Sequence, residues 1–371
     1  MRALVVNVGS SSVKLSVVDG DTLVAAESVP VAGRVDEDAI GAVIAAQGEI
    51  EAVGHRIVHG GAEFTAPVLV DEHVRRRLDA LVDLAPLHLP PSLAGLDLVS
   101  RLLPGVPAVA CFDTAFHARL PAAAATYALP REWRRRWALR RYGFHGLSHA
   151  WATSRVAALM GRPATSLRVV TCHLGAGASL AAVAFGASVD TTMGFTPLEG
   201  LVMATRSGTV DPGLVLWLEE HVGLPPAELA STLEHRSGLL GLTGTADMRA
   251  VLDAEATGDE EATLAVEVYV HRLRAGICAM AGAMNGLDAL AFTGGVGERA
   301  TSVRARTAAG LGFLGVVLDE GVNARAHPDA ELTGDTSSVR SFVVEAREDL
   351  QIARHVSEVL GGQSADVGMA K

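Results

Sequence analysis

Two distant stretches of this chain follow one plan. In the first eighteen residues the apolar runs Leu4–Val6 and Val13–Val18 flank Asn7-x-Gly9-Ser10-Ser11-Ser12, with Lys14 just beyond. Arg168–Val183 repeats the arrangement as an apolar strand, His173-x-Gly175-x-Gly177-x-Ser179, and a second apolar strand. Apolar runs joined by a small-residue turn read as β-hairpins. Turns of Gly and Ser expose backbone N–H groups and hydroxyls in a concavity suited to phosphate oxygens. One such turn is equally an ordinary soluble hairpin. Two of the same shape, at 3–18 and 168–184, imply an internal duplication: two like domains, each offering a phosphate-binding turn across a cleft.

Length agrees, since 371 residues exceed one ordinary core and suggest two domains. A composition 49% hydrophobic but only 4% aromatic suits a well-buried α/β protein. The net charge of −11 argues against nucleic acid or an anionic membrane as partner. Cys111, Cys172 and Cys278 form no C-x-x-C pair and read as buried thiols of a reducing compartment. With no eighteen-residue apolar span and no signal-like start, a cytoplasmic protein is expected.

Between and after the hairpins lie several candidate sites. Gly54-His55-Arg56-Ile57-Val58-His59-Gly60-Gly61 puts an arginine at a strand end; it suits a carboxylate, though a plain salt bridge explains it as well. The strand Ala108–Phe112 delivers Asp113, a ligand-site position or a simple turn cap. Helices are expected at Arg75–Leu84, ended by the prolines after it, at Ser92–Leu103, at Arg131–Arg141 with a solvated basic face, and at Ser148–Met160 with Ser148 as cap. His145 sits between Gly143 and Gly146, where backbone can approach a ligand. Residues 190–212 follow neither a helix nor a strand period; an ordered loop of that length carries function, and Arg206 within it suits phosphoryl charge. Gly295-x-Gly297-x-x-Ala300, with Asp319 about twenty residues on, mimics a dinucleotide fingerprint and so an NAD-dependent oxidoreductase. Too little chain follows to complete that sheet, and the hairpins would go unexplained.

Asn7-x-Gly-Ser-Ser-Ser-x-Lys14, GHRIVHGG, FDTAFH, RYGFHG, MGFTPLEGL and TRSG, in this order, resemble the acetate kinase family across about residues 4–353. MGFTPLEGL with TRSG is the specific part; the glycine turns alone are not. The resemblance implies an α/β fold of two duplicated ribonuclease-H-like domains of the actin-like ATPase superfamily with a nucleotide cleft between them. The boundaries expected are 1–117 plus 350–371 for the N-terminal domain and 118–349 for the C-terminal one. It implies ATP-dependent formation of acetyl phosphate by direct in-line transfer, with Mg²⁺ (Mn²⁺ as a substitute) and a homodimer.

By the same resemblance, Arg56 would bind the substrate carboxylate, with Val58, Leu87, Phe144 and Pro197 around the acyl group. Asp113, His145 and Arg206 would be catalytic, and Asn7 and Glu348 would lie near the metal. Ser10, Ser12, Lys14, His88, His173, Gly175 and Gly177 would line the phosphate region. Asp247, Arg249, Gly294, Gly295 and Gly297 would hold the adenosine. An ionised short carboxylate needs no general base, only neutralisation of charge as two anions meet. The sequence departs from the family pattern at Leu89, Ser92, Ala176, Thr209, Arg299 and Arg347. Those departures leave the donor open to pyrophosphate or another nucleotide, and pocket size leaves acetate open to propionate. A non-catalytic nucleotide-binding regulator would keep the hairpins but not both arginines and His145.

Overall fold

A computed structural model describes residues 1–9, 12–31, 36–86 and 88–368, with side chains to residue 362. Ser10 and Leu87, both expected at the site, lie outside the described residues. The chain divides into two compact units: Met1–Ala118 with Phe144–Trp151 and Arg347–Lys371, and Arg119–Gly143 with Ala152–Ala346.

The first unit is a six-stranded mixed sheet of β1 (Arg2–Val8), β2 (Ser12–Asp19), β3 (Thr22–Pro30), β4 (Ala52–Ile57), β5 (Val68–Leu69) and β6 (Ala108–Phe112). The strand order is β3-β2-β1-β4-β6-β5. β1 and β2 form the expected hairpin, with Asn7 opposite Lys14 and Gly9 N–H donating to Ser12 O at 2.9 Å. The sequence reading missed β3, whose side chains are mostly exposed and so carry no apolar run. β1, β4 and β6 are parallel, so their carboxyl ends share one edge. All three are largely buried; β1 and β6 read as nearly continuous apolar runs, whereas β4 carries Gly54, His55 and Arg56. Leu4, Val6, Leu15 and Val53 pack together beneath Leu98 and Val99 of the helix Leu89–Leu102. The helix Glu348–Gly368 lies close to β4; a Cβ at Gly54 would run into Ile352 and Val356.

The second unit repeats the topology strand for strand. Its strands are β7 (Arg168–Leu174), β8 (Ala178–Ala184), β9 (Ala187–Thr191), β10 (Ala289–Thr293), β11 (Ala330–Glu331) and β12 (Arg340–Val343). The order is β9-β8-β7-β10-β12-β11, with β7–β8 and β8–β9 antiparallel and β7–β10 and β10–β12 parallel. The duplication inferred from two glycine turns therefore extends to whole sheets, and the fold is the α/β, actin-like ATPase type with two similar domains.

Four local expectations are corrected. Pro90 and Pro91 start the helix Leu89–Leu102, because proline's fixed φ and missing N–H fit a first turn. The helix expected at Arg75–Leu84 is Glu72–Asp79, capped by Asp71, with a separate 3₁₀ turn at Val82–Leu84. The helix from Gly146 to Met160 encloses Ser148, so Ser148 is not its cap. The arginine-rich helix stops at Arg136, and Arg141 turns inward to pair with Glu199. Phe144–Trp151 groups with the first unit, where Gly146 N–H donates to Asp113 O.

Candidate active site

Three parallel strand ends place an ionic cluster in the first unit. Arg56 Nε donates to Asp113 Oδ1 at 3.1 Å and Nη2 to Oδ2 at 2.5 Å, a bidentate pair. Nη1 donates to Asn7 Oδ1 at 3.2 Å, and Glu348 Oε2 lies 3.6 Å from Nε. Asn7 Nδ2 reaches Glu348 Oε2 at 3.5 Å. Burial works against the Arg56 charge, yet Asp113 and Glu348 outweigh it and hold the guanidinium protonated well above the arginine range. Burial pushes the Asp113 carboxyl up to about 6, against the pull of Arg56 and the His145 N–H, with Glu348 adding to the rise. Both readings of Arg56 and Asp113 thus meet in one contact: a strand-end salt bridge that an incoming carboxylate could exchange into. Val58 is half-buried and Phe144 is buried, its ring edge-on to His59 at 5.4 Å.

His145 has φ +55, a left-handed backbone on a residue with a Cβ. Gly146 follows with its N–H on Asp113 O at 2.9 Å, and a Cβ there would collide with that carbonyl. His88 precedes the helix Leu89–Leu102, and Lys14 stands exposed on β2.

In the second unit the loop after β9 holds no helix or strand from Thr192 to Asp211. It is ordered by its own polar clamps. Glu199 accepts from Tyr127 Oη and from Arg141 Nη2, both at 2.6 Å, and Arg141 Nη1 donates to the carbonyls of Thr192 and Met193. Gly238, at φ +61, lets backbone touch backbone, since a Cβ there would run into the carbonyls of Met203 and Arg206. Arg206 itself is half-buried, and Nη1 reaches Pro197 O at 3.4 Å and Met203 Sδ at 3.9 Å. Among the described residues no carboxylate lies within ion-pair distance of it, and burial lowers its pKa against the weaker pull of Glu234.

A cavity of about 410 Å³ opens in the same unit, a volume that suits a nucleoside. Gly175, Asp247, Arg249 and Gly295 line it, all expected from the sequence; Asp253 and Tyr269 also line it and were missed. Asp247 caps the helix Met248–Ala256, accepting from Arg249 N–H at 2.9 Å. A Cβ on Gly295 would meet nothing, so backbone there faces open space. Gly177, Gly294, Gly297 and His173 are not among the lining residues. His173 pairs in register with Ser179 across β7 and β8. The N–H of Gly294 is taken by Glu298 Oε1 at 3.1 Å, so it is not open to a phosphate. Asp319 caps the helix Glu320–Arg325, accepting from Val322 N–H, which gives it a structural role in place of a ribose contact.

A profile of the acetokinase family matches residues 31–354. Acetate kinase of Pseudothermotoga lettingae is 42% identical over 97% of this chain and 98% of its own. The chain belongs to the acetokinase family. Acetate kinase of Porphyromonas gingivalis superposes with a TM-score of 0.89 at 34% identity, over 97% of this chain and 99% of its own. A propionate kinase from Francisella tularensis gives 0.90 at 33% identity, over 96% and 99%.

Membership sharpens the six departures. Leu89 is core, and Ser92 Oγ bonds back to His88 O. Thr209 exchanges hydrogen bonds with Gly200 at 3.0 Å each, and Arg347 pairs with Asp349. Only Ala176 and Arg299 line the cavity, so the question of the donor narrows to those two. Sequence reading also missed Arg304, which is fully buried and donates to the carbonyls of Gly297 and Glu298 and to Asn323. It closes the carboxyl end of the short helix Gly294–Arg299; one of two arginines in the helix Thr301–Ala309, it gives no sequence signal of this.

Proposed function

We infer that this protein transfers the γ-phosphoryl group of ATP to acetate, giving acetyl phosphate and ADP. The observation that carries the reading is the contrast between two guanidiniums. Arg56 is neutralised by a carboxylate pair that an acetate could replace, whereas Arg206 is held part-buried with no carboxylate among the described residues within ion-pair distance and only the weaker pull of Glu234. A carboxylate oxygen attacks phosphorus, the bond to the ADP oxygen breaks, and ADP leaves as an anion. No proton moves, so positioning and charge do the work. Arg56 would bind acetate, Arg206 would stabilise the phosphoryl in flight, His145 would hydrogen-bond it, and Asp113 would orient Arg56.

Asn7 and Glu348 offer hard oxygen donors that suit Mg²⁺, an ion that keeps most of its waters. Among the described residues no group of three or more His, Cys, Asp or Glu side chains could hold a metal, which favours a cation arriving with the nucleotide. When bound, Mg²⁺ would screen phosphate charge. A hydroxamate assay with acetate, propionate and butyrate, each with ATP and with pyrophosphate, tests the reading. Acetate with ATP should give the most product; no product with any pair would sink it, and a preference for propionate would favour the activity named for the Francisella neighbour.

Cytoplasmic location fits a chain in which, among the described residues, no helix is long and apolar enough to cross a membrane. A homodimer is supported by Leu214, Leu216, Trp217 and Val222, large apolar side chains about half exposed along the helix Pro212–Trp217 and the turn after it. Light scattering should give twice 38.5 kDa, and Trp217→Asp should shift it toward one; monomer at all concentrations would rule the dimer out.

A further inference from the structure

The strand β6 delivers Asp113 and, one short 3₁₀ turn later, His117. His117 is completely buried, and its Nε2 lies 3.1 Å from the carbonyl oxygen of Phe144. A carbonyl only accepts, so Nε2 carries the proton. Burial lowers this imidazole to about 4, which keeps that neutral form at working pH. Its ring packs edge-on against Phe116 at 5.4 Å and His149 at 5.7 Å, so it cannot swing away.

The residue after that carbonyl is His145, in its left-handed conformation. Left-handed backbone on a Cβ-bearing residue persists only where neighbours over-determine it. Four contacts do so: Gly146 N–H on Asp113 O and His149 N–H on His145 O, both at 2.9 Å, His145 N–H on the Asp113 carboxylate, and His117 on Phe144 O. The last two hold the peptide plane on the amino side of His145 from its two ends, the Asp113 carboxylate at the N–H and His117 at the C=O, and His117 is the one that grips the carbonyl. We propose that His117 is a positioning residue: its Nε2–H pins the Phe144 carbonyl and so aims the His145 imidazole at the transferring phosphoryl group. This rests on the reading of His145 as catalytic.

The test compares two amides that differ in reach. In His117→Gln the side-chain NH₂ arrives near the place of Nε2, whereas in His117→Asn it stops short of the carbonyl. His117→Asn should lower kcat about 10- to 100-fold with KM for acetate and ATP little changed, and His117→Gln should stay near wild type, because small misplacement of a reacting group costs rate more than binding. Hydrogen exchange of the amides at 143–147 should quicken in His117→Asn alone, a readout available even in an inactive protein. Equal kcat in wild type and His117→Asn, or an equal fall in both variants, would overturn the proposal. His145→Ala is run beside them. If it keeps full kcat, the catalytic reading of His145 fails; if it is impaired while His117→Asn is not, the positioning role alone fails.

Discussion

Arg206→Ala is expected to cut kcat by roughly 10²–10³, about 3–4 kcal/mol of barrier, as for removal of other single transition-state donors. The protein should melt no lower than wild type. Both halves follow from one feature. The guanidinium is part-buried, burial lowers its pKa, and no carboxylate among the described residues neutralises it. A charge held that way costs folding energy, so its removal leaves no orphaned partner behind. The same lack of a carboxylate partner among the described residues keeps the guanidinium available to phosphoryl oxygens as charge develops. Its backbone is fixed independently: Met203 N–H donates to Arg206 O at 3.1 Å, and Ser207 N–H to Leu233 O at 3.0 Å. Alanine should therefore delete a charge and leave the loop standing. Steady-state kinetics and a melting curve on one preparation decide it. A kcat within about tenfold of wild type would remove Arg206 from the mechanism. Lost activity with a large fall in melting temperature would make it a structural residue instead.

The duplication was legible because a tight turn must use small residues wherever it occurs, so two copies leave the same trace at Gly9 and Gly175. The third strand of each sheet left none. β3 is largely exposed, and β9 has only five residues, so neither shows a buried alternation. Arg56 and Asp113 could be named because arginine at one strand end and aspartate at the next are unusual among apolar neighbours. Their pairing was not legible, since it follows from β4 and β6 being parallel and adjacent. Arg304 and His117 were missed for a related reason. Each donates to a backbone carbonyl, and a carbonyl has no side-chain identity to read. Pro90 and Pro91 misled because proline both ends helices and begins them, and only the direction of the following chain tells which.

Acid should destabilise the first unit well before its carboxylates are all protonated. His55, His59 and His117 are each at least 98% buried, and burial lowers each from 6.5 to about 4. A histidine whose pKa is depressed in the folded state binds fewer protons there than in the unfolded chain. Its contribution is complete above about 6.5 and is lost as pH falls toward 4. At 1.36 kcal/mol per pKa unit each is worth about 3 kcal/mol, and the three together rival the 5–15 kcal/mol of a typical domain. The melting temperature should hold steady from pH 8 to 7 and then fall by about 10–30 °C by pH 4.5, taking a few degrees per kcal/mol. His55 separates this from general acid effects. Asp97 acts in the opposite direction, and the His55 Nε2 is buried with no hydrogen-bond partner among the described residues, so His55→Phe removes the titration without breaking a bond there. Between pH 6 and 4.5 the dependence of unfolding free energy on pH should then drop by about one proton, or 1.4 kcal/mol per pH unit. An unchanged slope in His55→Phe would mean that this imidazole is not the buried neutral group that its place in the middle of β4 implies.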